Sequence, residues 1–243
     1  MALVSPAGGL IYHGRALRYR NGLWAPFRTQ LARWLEHWIP KPSGRLVLVG
    51  PSAGHTLPWQ WLGKFDELFI VEPDPLARAW LAMRARRAGT ALHFIQGESW
   101  LTGSATDLAA MTTQIQKLHC PPLLFTNVLG QLALLRETFH DDKLWRRAFN
   151  DAIAPLPWAS FHDRGSCHDI VIQTPQPPPW QIQTQSELSL VDAAHALGWL
   201  PPLEVEDHGT GGLLPPGPRG YALWPITPDS SHLIEWTHAK LIW

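Results

Sequence analysis

The alternation of short apolar runs with helical stretches between Arg45 and Asp163 constrains this chain more than any other feature. Arg45-Leu46-Val47-Leu48-Val49-Gly50 is nearly continuous in its apolar character. Such a run reads as a strand buried on both faces, as in a parallel sheet. Gly50-Pro51-Ser52-Ala53-Gly54 then makes a tight turn, and Leu68 to Glu72 is a second strand. Asp74 and Pro75 are cap and first turn of a helix running to about Arg87, with Gly89 as its stop. Ala91 to Ile95 is a third strand, and Leu123 to Thr126, entered through Pro121-Pro122, a fourth. A helix around Leu144 to Ile153 follows, and Trp158 to His162 is a fifth strand. Strands alternating with crossover helices predict an α/β fold, with a Rossmann-like, doubly wound, mostly parallel sheet.

The flanks are less regular. Residues 1–44 form a helical prelude in which Thr29 caps a helix carrying Leu31, Trp34, Leu35 and Trp38 on one face. Arg15, Arg18, Arg20, Arg28 and Arg33 make the prelude basic, either as a solvated face or as a lid over an anionic substrate. Downstream, Ser186 opens a helix with Leu190, Ala194 and Leu197 on one face, closed by Gly198. Leu203–Asp207 and Tyr221–Pro225 read as late strands, and Leu233 to Trp236 as one more strand at an edge. Nothing divides residues 45–243, so a prelude over 1–44 and a domain over 45–243 are expected to make one compact unit.

Composition narrows the partners. Lys+Arg and Asp+Glu are both 20, and this zero net charge argues against a nucleic-acid partner. Cys120 and Cys167 are too few for a disulfide framework and fit a reducing, cytoplasmic setting. The N-terminus lacks the pattern of a signal peptide, and no apolar run reaches the roughly 18 residues of a membrane span. His162, Asp163, Cys167, His168 and Asp169 are metal-ligand types, but their spacing fits no standard zinc pattern, so no metal is expected. The 14 Trp read as packing, or as the lining of a pocket or interface; a homodimer or a protein partner would suit the latter.

Ligands of an open parallel sheet bind at the carboxyl ends of its strands. Gly50 and Gly54 there let backbone approach a ligand closely. Glu72 can accept both hydroxyls of a ribose with its two oxygens. Gly97, Glu98 and Ser99 follow the third strand, and Asn127 the fourth. Asn127 can align an amine or hydroxyl, or simply cap the next helix. His162 can take a proton from an acceptor, with Asp163 to orient it, or be a loop histidine with ordinary hydrogen bonds. His55, just past the turn, is a further candidate for an anionic end of a ligand. The Gly-x-Gly-x-x-Gly turn, the P-loop and the Gly-x-Ser-x-Gly elbow are all absent.

The succession Val47-Leu48-Val49-Gly50-Pro51-Ser52-Ala53-Gly54, Ile70-Val71-Glu72-Pro73-Asp74, Phe94-Ile95-Gln96-Gly97-Glu98 and Leu124-Phe125-Thr126-Asn127 resembles the class I S-adenosylmethionine-dependent methyltransferases. The resemblance covers residues 45–163. It implies a C-terminal antiparallel hairpin, supplied here by Leu203–Asp207 and Tyr221–Pro225, and S-adenosylmethionine as cofactor. By the same resemblance Gly50, Ser52 and Gly54 lie along the methionine portion, and Glu72 binds the ribose. Pro73 and Asp74 border the adenine, Glu98 meets its amine, and Asn127 faces the sulfonium. His162, Asn127 and Asp163 are then the catalytic candidates. The implied activity is methyl transfer to an oxygen or nitrogen of a small-molecule or protein acceptor. The family turn commonly carries an acid and a middle glycine where this chain has Leu48 and Ser52. Those departures favour the alternative, a non-catalytic protein of the same fold that binds a partner.

Overall fold

The computed structural model describes residues 9–97, 99–135, 143–168, 181–199 and 204–239. Among them nine strands form one sheet. The first five are β1 (Arg45–Val49), β2 (Glu67–Val71), β3 (Ala91–Phe94), β4 (Leu123–Thr126) and β5 (Trp158–His168). The others are β6 (Gln181–Thr184), β7 (Glu206–Asp207), β8 (Arg219–Thr227) and β9 (Ser230–His238). Their spatial order is β3-β2-β1-β4-β5-β9-β8-β6, with β7 paired separately to β5. The run from β3 to β5 is parallel. Strand β9 is antiparallel to both β5 and β8. This is the doubly wound class expected, with a C-terminal antiparallel hairpin and N-terminal helices.

The helices are α1 (Gly9–Tyr19), α2 (Ala25–Trp38), α3 (Trp59–Leu62), α4 (Pro75–Ala88) and α5 (Ser99–Thr102). They continue with α6 (Ala105–Lys117), α7 (Leu132–Leu135), α8 (Lys143–Ile153) and α9 (Leu190–Ala196). Leu46, Leu48, Leu68 and Ile70 point to one face, under residues of α1 to α4. Val47, Val49, Leu123 and Phe125 point to the other, under α5, α6 and α8. The alternation of strand side chains thus fills two cores, one on each side of the sheet. Ten tryptophans are buried, so most of the excess is packing. Phe27 of α2 stacks on Trp224 of β8 at 5.0 Å, and Trp34 on Trp236 of β9 at 5.9 Å.

Helix α4 begins and ends as its sequence dictates. Asp74 Oδ1 accepts from the Leu76 N–H at 2.8 Å, and Gly89 closes the helix in the left-handed region, φ 77°. Elsewhere the expectations need correction. Helix α2 starts at Ala25 rather than at Thr29, because Pro26 serves its first turn; Thr29 lies inside and donates to the Ala25 carbonyl. The C-terminal hairpin is β8 and β9, turning at Pro228-Asp229, not the pair Leu203–Asp207 and Tyr221–Pro225. Residues 201–203 lie outside the described residues, and Glu206–Asp207 pairs with β5 instead. Leu233 to Trp236 belongs to an interior strand, because β9 is covered by β5 on one side and β8 on the other. Strand β5 continues past His162 to His168, since β9 supplies a hydrogen-bonding partner along that whole length.

Candidate functional site

The order of the parallel strands reverses between β1 and β4, and in open sheets of this class ligands bind in the crevice above the carboxyl ends of the strands at that point. The turn after β1 sets its floor. Gly50, Ser52 and Gly54 are all left-handed, with φ of 66°, 48° and 62°. At Gly50 a Cβ would fall 2.5 Å from the Val128 Cβ, so only glycine fits. Ser52 adopts this conformation with a side chain present, and its N–H donates to Glu72 Oε2 at 2.7 Å. The Asp74 N–H donates to Glu72 Oε1 at 3.0 Å. One carboxylate at the end of β2 therefore fastens the turn after β1 to the start of α4. Each oxygen accepts one main-chain N–H, and a carboxylate has about four acceptor positions, so one per oxygen remains. Burial pushes the Glu72 carboxyl up to about 7, against the pull of the Asp74 and Ser52 amides. Leu48, where the family turn carries an acid, is wholly buried in the core.

Helix α1 roofs this floor. His55 is buried, and burial together with Arg84, His13, Arg20 and Arg28 lowers its pKa to about 3, so the ring is neutral. Its Nδ1 lies 2.9 Å from Arg84 Nη2, and a guanidinium can only donate. The His55 proton is thereby assigned to Nε2, which faces His13 Nδ1 at 3.4 Å. His13 in turn presents Nε2 to Asp74 Oδ2 at 3.6 Å. A chain of side chains thus runs from α4 through the turn to α1 and back to the cap of α4. Tyr12 packs against His55, and burial, Asp163 and Glu72 raise its hydroxyl pKa while Arg84 opposes them.

The ends of β4 and β5 supply the other wall. Asn127 is left-handed, φ 63°, and its amide makes a two-way clasp on Asp163. Asn127 Nδ2 donates to Asp163 Oδ2 at 3.0 Å, and its Oδ1 accepts the Asp163 N–H at 2.8 Å. The same Asp163 Oδ2 lies 3.0 Å from His232 Nδ1 on β9. Burial works to raise the Asp163 pKa, and His232, His208 and Asn127 outweigh it, so the carboxyl sits below its ordinary range. His162 lies fully buried beside Ser160 Oγ at 3.0 Å, and burial and Arg164 lower its pKa to about 3. Asp163 therefore contacts His232 and Asn127, and His162 faces Ser160 and, at 3.9 Å, Glu235.

Of the expected cofactor residues, Gly50, Ser52, Gly54, Glu72 and Asp74 meet around the turn; Pro73 is exposed between the last two, and Glu98 lies outside the described residues. Gly97 packs against Trp100 and Val71. Tyr12, His13, Arg84 and His232 join the site without having been singled out. Each meets its partner across 29 residues or more, so local periodicity does not mark them. Among the described residues no group of three or more His, Cys, Asp and Glu is arranged to hold a metal. Nor is any helix there long and apolar enough to cross a membrane.

No protein-family model and no curated protein matches this chain. Several solved structures share its shape loosely. DhpI in complex with SAH is 13% identical, over 93% of this chain and 92% of that one, with a TM-score of 0.35. SAM-bound CalS10, an amino pentose methyltransferase of Micromonospora echinaspora, is 12% identical over 95% and 82%, at 0.34. The shikimate dehydrogenase of Mycobacterium tuberculosis is 13% identical, over 49% of this chain and 44% of that one, at 0.26. The chain thus spans less than half of that dehydrogenase. The fold assignment rests on the strand order alone.

Proposed function

We propose that this chain is an S-adenosylmethionine-dependent methyltransferase acting on an oxygen or nitrogen nucleophile of a small molecule or protein. One observation carries the reading. The left-handed turn after β1 is fastened to Glu72 at the end of β2, beside the point where strand order reverses. Glu72 keeps one acceptor position on each oxygen, which fits the paired hydroxyls of a ribose. Gly50, Ser52 and Gly54 offer a floor for the methionine portion, Pro73 and Asp74 a border for the adenine, and Glu98 a partner for its amine. When bound, the cofactor supplies an electrophilic methyl group. The chain's own part is to position the nucleophile and remove its proton. We give proton removal to His232, whose ring is partly open, 22% exposed, and lies against ionised Asp163. Asn127 holds Asp163 in place, and His162, closed off and neutral, supports the wall behind it.

The test is calorimetric titration with S-adenosylmethionine and S-adenosylhomocysteine. Wild type is expected to bind both, and Glu72→Ala to bind at least about tenfold more weakly, the value of one charge-assisted hydrogen bond. A well-folded wild type that binds neither ligand overturns the reading. The second reading, a non-catalytic binding protein of this fold, draws on the internal pairing of Glu72 and Asn127. It gains from that same negative result, together with copurification of a protein partner.

A further inference from the structure

A groove of about 1030 Å³ lies beside the crevice, between the end of α1, helix α2, the segment entering α3, and α4. Its charged lining is Arg20, Arg28, Arg33, Arg84 and Arg87 against the single carboxylate of Glu36. Among the described residues none of these arginines is within ion-pair distance of a carboxylate. Two of them are fixed from behind. Arg28 Nη1 donates to the Arg20 carbonyl at 2.9 Å, and Arg84 Nη2 donates to His55 at 2.9 Å. The Nε atoms of both are buried without a hydrogen-bond partner. Burial and the neighbouring arginines also lower the pKa of Arg28 and Arg84, as expected of cations gathered without counter-charge. None of Gly50, Ser52, Glu72 or Asn127 lines the groove, which adjoins the proposed cofactor crevice through Arg84 and its contact with His55.

We propose that this groove binds a small phosphate-bearing anion, with Arg28 and Arg84 as its principal ligands and Arg20, Arg33 and Arg87 along its rim. The charge decides the class. Five guanidinium groups against one carboxylate leave an excess that a monocarboxylate cannot neutralise. Guanidinium forks match phosphate oxygens in geometry as well as in charge. Trp59 and Trp80 give the groove flat walls, the first anchored through Nε1 to the Gly54 carbonyl at 3.0 Å.

The test uses the full chain without cofactor, titrated calorimetrically with pyrophosphate at about 150 mM salt, where weak surface attraction is screened. Citrate serves as a carboxylate control of comparable charge. Pyrophosphate is expected to bind at least about tenfold more tightly than citrate, with Arg28→Gln and Arg84→Gln each costing about tenfold or more. Arg86→Gln lies on α4 but outside the groove and is expected to change the affinity by less than about twofold. Arg87→Glu, at the exposed rim, removes one positive charge and adds a negative one with no buried contact at stake. It is expected to weaken binding by about threefold or more, which keeps the test decisive if Arg84→Gln fails to fold. Failure of the wild type to bind pyrophosphate overturns the proposal, as does citrate binding equally well. Unchanged affinity in Arg28→Gln and Arg87→Glu does the same.

Discussion

The parallel and antiparallel halves of the sheet hold their buried carboxylates with different partners, although burial pushes both Glu72 and Glu235 up to about 7. At the carboxyl end of the parallel half, Glu72 binds two main-chain amides and keeps acceptor capacity to spare. In the antiparallel half, Glu235 on β9 is 1% exposed and enclosed by side chains of opposite charge. Arg164 Nη1 lies 2.9 Å from it and Arg219 Nε 3.0 Å, while Arg164 also pairs with Glu187. Burial works against the charge of Arg164, and Glu235 and Glu187 outweigh it, so its pKa is raised. A charge network closed on itself is structural. A carboxylate held by backbone, with acceptor positions left over, is the arrangement that the proposed cofactor site requires.

The contrast is broken first at Glu235. Glu235→Ala leaves Arg164 and Arg219 buried without their shared partner and is expected to cost about 3–5 kcal/mol in urea unfolding. A loss below about 1 kcal/mol would mean that the network is not structural. Next is Gly50→Ala, where the left-handed backbone and the clash with Val128 together are expected to cost about 2–4 kcal/mol by the same assay.

The pH dependence sharpens the other side. The folded pKa of Glu72 is raised above its unfolded value, to about 7. Its contribution to stability is therefore full below the ordinary carboxylate range and is lost as pH rises through 7. Cofactor affinity should move the other way, rising about tenfold between pH 6 and pH 8, because only the ionised form accepts from both hydroxyls. Glu72→Gln should flatten both profiles, read by calorimetry and by melting across that range. The smallest effect is expected at Asp74→Ala, about 1 kcal/mol in thermal unfolding for the lost cap of α4.

The parallel half was legible because its strands are short apolar runs and its turns carry glycine, proline and a capping aspartate. Gly50, Glu72 and Asn127 could be placed from strand ends alone. The antiparallel half was not. The sequence Asp163-Arg164-Gly165-Ser166 looks like a loop after the strand, yet it continues an interior strand, where its charges meet His232, Glu235 and Glu187 across the fold. Strand β9 reads as an edge because it comes last among the strands, and its insertion between β5 and β8 is a long-range pairing that local sequence does not encode. The roof was hidden for a different reason: Tyr12 and His13 reach His55 across 42 residues in the His13 case, a contact that local periodicity does not encode.

The central claim is that the crevice over Glu72 is a cofactor site. Its most direct test is a crystal structure of the chain grown with saturating S-adenosylhomocysteine. The account predicts ligand density over the Gly50–Gly54 turn, with both ribose hydroxyls within hydrogen-bonding distance of Glu72. An empty crevice at saturation, with Glu72 still bound only to the Ser52 and Asp74 amides, would contradict it.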